Sequence, residues 1–175
     1  MQARIPKPSA SAGTDAAAGA LRRAMRRVAS SVAVVTTRRD GVDHGMTVTA
    51  HSSVSLDPPL VLVVINAGSS LHEPLLRGDG FCLNILDSSQ QDVAEAFARP
   101  GAGASRFAVG RWRMPETPGA VALALEGAQA WTQCTVENVT RAGTHSIVTG
   151  RVLAAWAAPS GEPLIYLDGA FTRPR

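Results

Sequence analysis

The chain has 175 residues, enough for one domain with a single substantial core and too few for two of ordinary size. A net charge of +3 and an aromatic share of 5% provide neither a strong basic patch nor a base-stacking platform, so no nucleic-acid partner is expected. No stretch approaches the roughly 20 apolar residues of a membrane span, so no membrane is expected either.

Residues 1–19, rich in Ala, Ser, Gly and Pro without an apolar period, predict a disordered tail, with one folded domain over 20–175. After Arg4 and Lys7 there is no continuous apolar run, and Asp15 interrupts the Ala/Ser/Gly stretch, unlike a secretory signal. Leu21, Met25 and Val28 recur at helical spacing and predict a short amphipathic helix with Arg22, Arg23, Arg26 and Arg27 on its outer face. Val32 to Thr37 is a β-branched strand, and Arg39-Asp40-Gly41 turns it into a hairpin.

The return strand runs from Gly45 to Leu56 and halts at Asp57-Pro58-Pro59. At period two, Thr47, Thr49, His51, Ser53 and Ser55 share one face, a row of hydroxyls able to hold a polyhydroxylated or heteroaromatic ligand; a solvated strand face is the plainer alternative. A buried strand, Leu60 to Ile65, leads to Asn66-Ala67-Gly68-Ser69-Ser70 and a short helix from Leu71. That turn is either a phosphate cradle of amides and hydroxyls or a helix capped by Ser69 or Ser70.

Phe81 to Leu86 is a further strand, in which Asn84 needs a partner, from a ligand or the backbone. Ser88 to Ala98 predicts a helix with Val93, Ala94 and Phe97 on one face and Ser88 or Ser89 as cap. Arg99 to Gly119 predicts a long surface loop anchored by Phe107 and Trp112. The remainder reads as antiparallel strands, Gln129 to Asn138, Ser146 to Ala158 and Leu164 to Leu167, with turns at Ala142-Gly143 and Ser160-Gly161. Many short strands without βαβ alternation predict a mainly β barrel with a few flanking helices. Cys82 and Cys134 each fall in a strand, which suits buried thiols in a reducing cytoplasm. His44, His51 and His72 have no metal-ligand spacing with either cysteine, and no metal site is expected.

Gly-Met-Thr-Val followed by Ser-x-Ser-Leu-Asp-Pro-Pro-Leu, then Ser-Ser-x-His, Phe81-Cys-Leu-Asn84 and Gly143-Thr-His145, resembles the short-chain flavin reductases. The resemblance runs from about Leu21 to Phe171 and implies an FMN-binding split β-barrel, a Greek-key antiparallel fold. It further implies an NAD(P)H-dependent flavin reductase, using NADH or NADPH, that supplies reduced FMN or FAD to a partner flavin-dependent monooxygenase, and a homodimer. The flavin ring and ribityl chain are implied along Met46, Thr47, Val48, Thr49, Ala50, Ser52 and Ser53. The phosphate falls by resemblance near Ala67, Ser69, Ser70 and His72, with Asn84 and Phe171 also near flavin and His145 facing nicotinamide.

Two positions depart from the family pattern. Leu71 stands where a basic residue commonly pairs with phosphate, leaving Arg77 or Arg106 as substitutes, and Thr144 replaces the aspartate before His145. These departures motivate an alternative, a flavin carrier or sensor of the same fold without reductase activity. A third reading has the same barrel oxidising or reducing a small organic substrate itself, with the Arg99 to Gly119 loop shaping its pocket. The sequence carries no dinucleotide fingerprint: Gly101-Ala-Gly103-Ala-Ser-Arg106 puts arginine at the third glycine position and follows no strand.

Overall fold

The computed structural model describes residues 12–174. Helix α1, Ala12–Met25, carries Asp15 in its first turn and Arg22 and Arg23 in its last, signs that suit the helix dipole, in a run dominated by alanine. Residues 12–19 are therefore helical and not the disordered tail expected of them: helix propensity decides where an apolar period is missing. Residues 1–11 of that expected tail lie outside the described residues. The stripe expected to face inward does not, since Leu21, Met25 and Val28 are 62%, 55% and 48% exposed.

Twelve strands come after it: β1 Ser30–Ser31, β2 Ala33–Arg39, β3 Val42–Val48, β4 His51–Leu56, β5 Pro59–Asn66, β6 Phe81–Ile85, β7 Trp112–Arg113, β8 Ala124–Leu125, β9 Ala130–Ala142, β10 His145–Ala157, β11 Ile165–Leu167 and β12 Ala170–Thr172. Seven form one sheet, antiparallel at every pairing, in the order β3-β2-β6-β9-β10-β5-β4. Helices α2, His72–Arg77, and α3, Gln91–Ala98, pack on it. The hairpin between β2 and β3 turns at Asp40 and Gly41, both at positive φ, as the sequence predicts.

The single strand expected over Gly45 to Leu56 is two. The chain bends at Thr49-Ala50, so β3 and β4 lie at opposite edges of the sheet although two residues separate them. The sheet must curl to bring those edges to one corner, where the Val64 amide donates to the Ala50 carbonyl at 2.9 Å. This is a split barrel: β3 and β4 meet without pairing, and the hydroxyl row does not run on one continuous face. His51 holds the corner, its Nε2 lying 3.1 Å from the Ser31 carbonyl and 3.3 Å from Ser31 Oγ, which ties β4 to the small sheet β1-β11-β12.

Strand β2 is buried on both faces, which explains its unbroken apolar run. Val35 faces the barrel interior with Val63, Ile65, Phe81 and Val148, while Val34 faces a second cluster with Leu86, Val93, Phe97 and Leu125 beneath α3. Neither α2 nor α3 has a side-chain cap. Ser69, Ser70, Ser88 and Ser89 thus do not serve the capping roles the sequence offered; Ser89 instead donates to Asp87 Oδ1 at 2.6 Å in a turn of its own.

Asn84 is fully buried, and its amide is engaged at both ends by the protein: Nδ2 donates to the Val34 carbonyl at 3.1 Å, and Oδ1 accepts from the Leu125 amide at 2.9 Å. Of the two partners left open by the sequence, backbone is the one observed. Gln133, also fully buried, accepts from the Val121 and Ala122 amides and donates to the Ala122 carbonyl, stapling the loop before β8. Cys82 and Cys134 are free and buried, and burial pushes the Cys134 thiol up to about 11, as expected of inert thiols.

These buried contacts have two measurable consequences. Asn84→Ala strands two buried backbone groups and lowers stability by about 1–3 kcal/mol in urea titration. Burial lowers the His51 pKa below its ordinary value, so the unfolded chain binds the proton better than the folded one. Stability from His51 is therefore full above the unfolded pKa and falls as pH drops through the lower folded pKa. Unfolding midpoints measured at neutral and mildly acidic pH should diverge less in His51→Gln than in the parent.

Candidate functional site

The open edge of β3 is the floor of a groove with three connected lobes. The first, about 430 Å³, is lined by Met46 to Ala50, Val64, Asn66 and His145. The second, about 470 Å³, shares Met46 and Asn66 with it and adds Gly68, Ser69, Ser70, Phe97 to Gly101 and Arg106. The third, about 640 Å³, shares Met46, Ala98, Arg99 and Pro100 with the second and reaches Glu95, Tyr166, Gly169 and Phe171. All three fall in the size range of small-ligand sites, about 300–1,000 Å³.

Glycine at position 45 is what lets α3 and its following loop approach β3. A Cβ there would stand 2.6 Å from the Phe97 ring, so any side chain would push α3 off the strand. Beside this contact Arg106 is only 6% exposed. Its guanidinium donates to the Gly45 carbonyl and to the Arg99 carbonyl, and it lies 5.7 Å over the Phe97 ring. Phe97 in turn packs edge-on against Phe107, whose anchoring role the sequence suggested, and against Trp112. No carboxylate pairs with Arg106 among the described residues, and burial lowers its pKa. A buried cation without a counter-charge is costly to the protein alone.

Ser69 Oγ and Arg106 Nε are the two buried side-chain polar atoms without a partner among the described residues, and both residues line the second lobe. An unpaired hydroxyl and an unpaired guanidinium edge together suit an anion with several acceptor oxygens, such as phosphate. Asn66 shapes the approach by accepting from the Gly68 amide at 2.8 Å.

His145 begins β10 and is paired with Asn66 across the ladder to β5. Its Nδ1 lies 2.9 Å from Thr144 Oγ1, and the Thr144 carbonyl accepts from the Ala67 amide at 3.0 Å. The hairpin turn and the Asn66-to-Ser70 loop are thereby locked together, which carries His145 to the first lobe. Thr144 keeps a hydrogen bond at the ring nitrogen without bringing charge.

The structure brings together Met46, Thr47, Val48, Thr49, Ala50, Ser69, Ser70, Arg106, His145 and Phe171 along the groove. It does not bring Ser52 or Ser53, which are exposed on β4, nor Asn84. Ala67 contributes its backbone amide to the Thr144 carbonyl and lines no lobe. His72 Nε2 is engaged by Ser146 Oγ at 2.9 Å, and Thr47 Oγ1 donates to the Ala94 carbonyl at 2.7 Å. Leu71 is core, 1% exposed, and Arg77 pairs with Glu73. The sequence reading missed Glu95 and Tyr166, while Arg99 and Pro100 belong to the loop that one alternative had shaping a pocket. Tyr166 is 38% exposed and sits edge-on to Phe171, with ring centroids 5.4 Å apart. No cluster of metal-ligating side chains occurs among the described residues, and no described helix is long and apolar enough to cross a membrane.

Comparison with known proteins gives a consistent result. The flavin reductase like domain matches residues 25–175. The chain is 36% identical over 152 residues to the reductase component of an FADH(2)-dependent resorcinol hydroxylase from Rhizobium sp., covering 86% of this chain and 83% of that one. It is 34% identical over 146 residues to an FMN reductase (NADH) of Stutzerimonas stutzeri, covering 83% and 82%. Among solved structures, the NADH:FAD oxidoreductase of Streptomyces globisporus C-1027, in complex with NAD and FAD fragments, superposes with a TM-score of 0.84 at 28% identity, covering 96% of this chain and 98% of that one.

Proposed function

The chain belongs to the flavin reductase like domain family, and from that premise we infer that it is an NAD(P)H:flavin oxidoreductase whose product, reduced FMN or FAD, passes to a partner flavin-dependent monooxygenase. The observation that carries the reading is Arg106, a buried guanidinium without an acidic partner, facing a lobe that continues along the open β3 edge to His145.

A reduced nicotinamide stacked on a flavin passes a hydride directly to it, so the protein's task is positioning and exclusion of water. In this reading Arg106 and Ser69 hold the flavin phosphate, with Ser70 at the mouth of the same lobe. The edge strand Met46 to Ala50 offers backbone donors and acceptors to the ring and the ribityl chain. His145, held at Nδ1 by Thr144 Oγ1, presents Nε2 to the nicotinamide. The two departures that favoured a carrier or sensor are each compensated: Arg106 stands in for the cation absent at Leu71, and Thr144 retains the hydrogen bond.

We place the protein in the cytoplasm as a homodimer. Buried free thiols support the first. For the second, the outer face of β5 and β10 aligns Leu62 with Thr149 and Val64 with Ile147, beside edge strand β4 with Val54 and Leu56 exposed. An apolar sheet face of that kind is normally covered.

Two measurements check the site. NADH or NADPH oxidation, followed by loss of the reduced-nicotinamide absorbance, should require added flavin, and His145→Ala should raise the nicotinamide KM while leaving flavin affinity in place. Silence with every flavin and both nicotinamides sinks the reductase. Arg106→Met should weaken FMN by about 10–100-fold, the worth of a charge-assisted hydrogen bond, and riboflavin, which lacks phosphate, by far less. Equal losses for both would place Arg106 in folding alone.

A further inference from the structure

Away from the groove, a separate cavity of about 330 Å³ opens where β7, β8 and the turn after β8 meet β9 and β10. It shares no lining residue with the three lobes. Two tryptophans form its aromatic wall. Trp131 and Trp156 are direct cross-strand partners on β9 and β10, with ring planes within 17° and centroids 6.4 Å apart. Trp131 is buried with Cys82, Ala122 and Ala124, whereas Trp156 is exposed. Cross-strand packing accounts for the inner ring, and the outer one leaves indole surface free at the cavity, where it can take a flat apolar ligand.

Three side chains set the charge of this cavity. Arg111 Nε takes Glu126 Oε2 at 3.0 Å, and Arg113 Nε stands 3.6 Å from Oε1. One carboxylate answers two guanidiniums, so the excess charge is positive. Arg113, which lines the cavity, is the more loosely held of the two and has donors to spare for a second carboxylate. A cation would suit the indole faces but would compete with both arginines for Glu126. The volume admits a small molecule of one or two rings. We propose that this cavity is a second ligand site, for a planar aromatic carboxylate, with the ring against Trp156 and Trp131 and the carboxylate on Arg113. Binding there is independent of the flavin groove.

Isothermal titration of the full chain with 2-naphthoate, with and without saturating FMN, tests the site. Saturable binding with a dissociation constant below about 1 mM is expected, and it is retained under FMN. With FMN present, Trp156→Ala should weaken it about tenfold or more and Arg113→Gln about five- to tenfold, whereas the uncharged 2-naphthamide should lose affinity in Trp156→Ala alone. Arg113 is exposed, so its variant reports on binding even if Trp156→Ala disturbs the pairing of β9 with β10. Absence of saturable binding, or affinity unmoved by both variants, overturns the site. Binding abolished by FMN overturns it as well, because the signal then belongs to the groove. Tighter binding of 2-naphthylmethylamine, a cation on the same ring, would give the cavity to Glu126 and overturn the carboxylate.

Discussion

The contact between Arg106 and the Gly45 carbonyl is the point on which the site depends. It joins the edge strand β3 to a distant stretch of chain, helix α3 through Phe97 and the loop that follows it. Because position 45 has no Cβ, the Phe97 ring can lie against the strand, and the ring supports the guanidinium from one side. Backbone carbonyls satisfy two of the guanidinium nitrogens and leave Nε free. A carboxylate in the same place would have neutralised the charge and closed the pocket to an anion. The arrangement holds a desolvated cation in the free protein; an anion bound there, as proposed for the flavin phosphate, would relieve that cost and couple stability to ligand binding through one side chain.

The curled sheet supplies the second requirement, an unpaired strand edge facing a cavity. Edge strands are ordinarily blunted because their free amides and carbonyls recruit other chains. Here β3 is covered instead by α3, the following loop and the β11-β12 hairpin, which stand far enough off to leave a groove. The corner at Thr49-Ala50 makes this possible. His51 fixes its geometry from the far side, by hydrogen bonds to Ser31 that leave the strand edge untouched.

Much of this was legible in the sequence. The hairpin at Asp40-Gly41 and the α3 face of Val93, Ala94 and Phe97 arise from local pattern and appear as read, whereas the strand before Asn66 forms but buries only Val63 and Ile65. The motif order identified the family, which composition alone would not have done. The features that were not legible depended on the third dimension. Strict alternation from Thr47 to Ser55 gives no sign of the bend, because a corner between two strands needs no glycine or proline when both residues are exposed. The α1 helix was hidden for the opposite reason: alanine forms helix by propensity without the apolar period that pattern reading seeks. Asn84 could not be assigned between ligand and backbone until the Leu125 amide, 41 residues on, was seen to reach it.

Arg106 shows most plainly how a site can be half visible. The sequence exposed the gap at Leu71, where a cation was wanted, and offered two arginines without a means of choosing. Burial chooses. Arg77 is solvated and paired with Glu73, so its charge is already answered and screened. Arg106 is enclosed, unpaired and directed at the same lobe as an unpaired serine hydroxyl. In a low-dielectric pocket an unanswered charge acts over a short distance with far more force than a surface one. In the proposed reading a cation on the loop after α3 thus does the work of one at the start of α2, and it can do so because the strand beneath has a glycine that lets the loop come close.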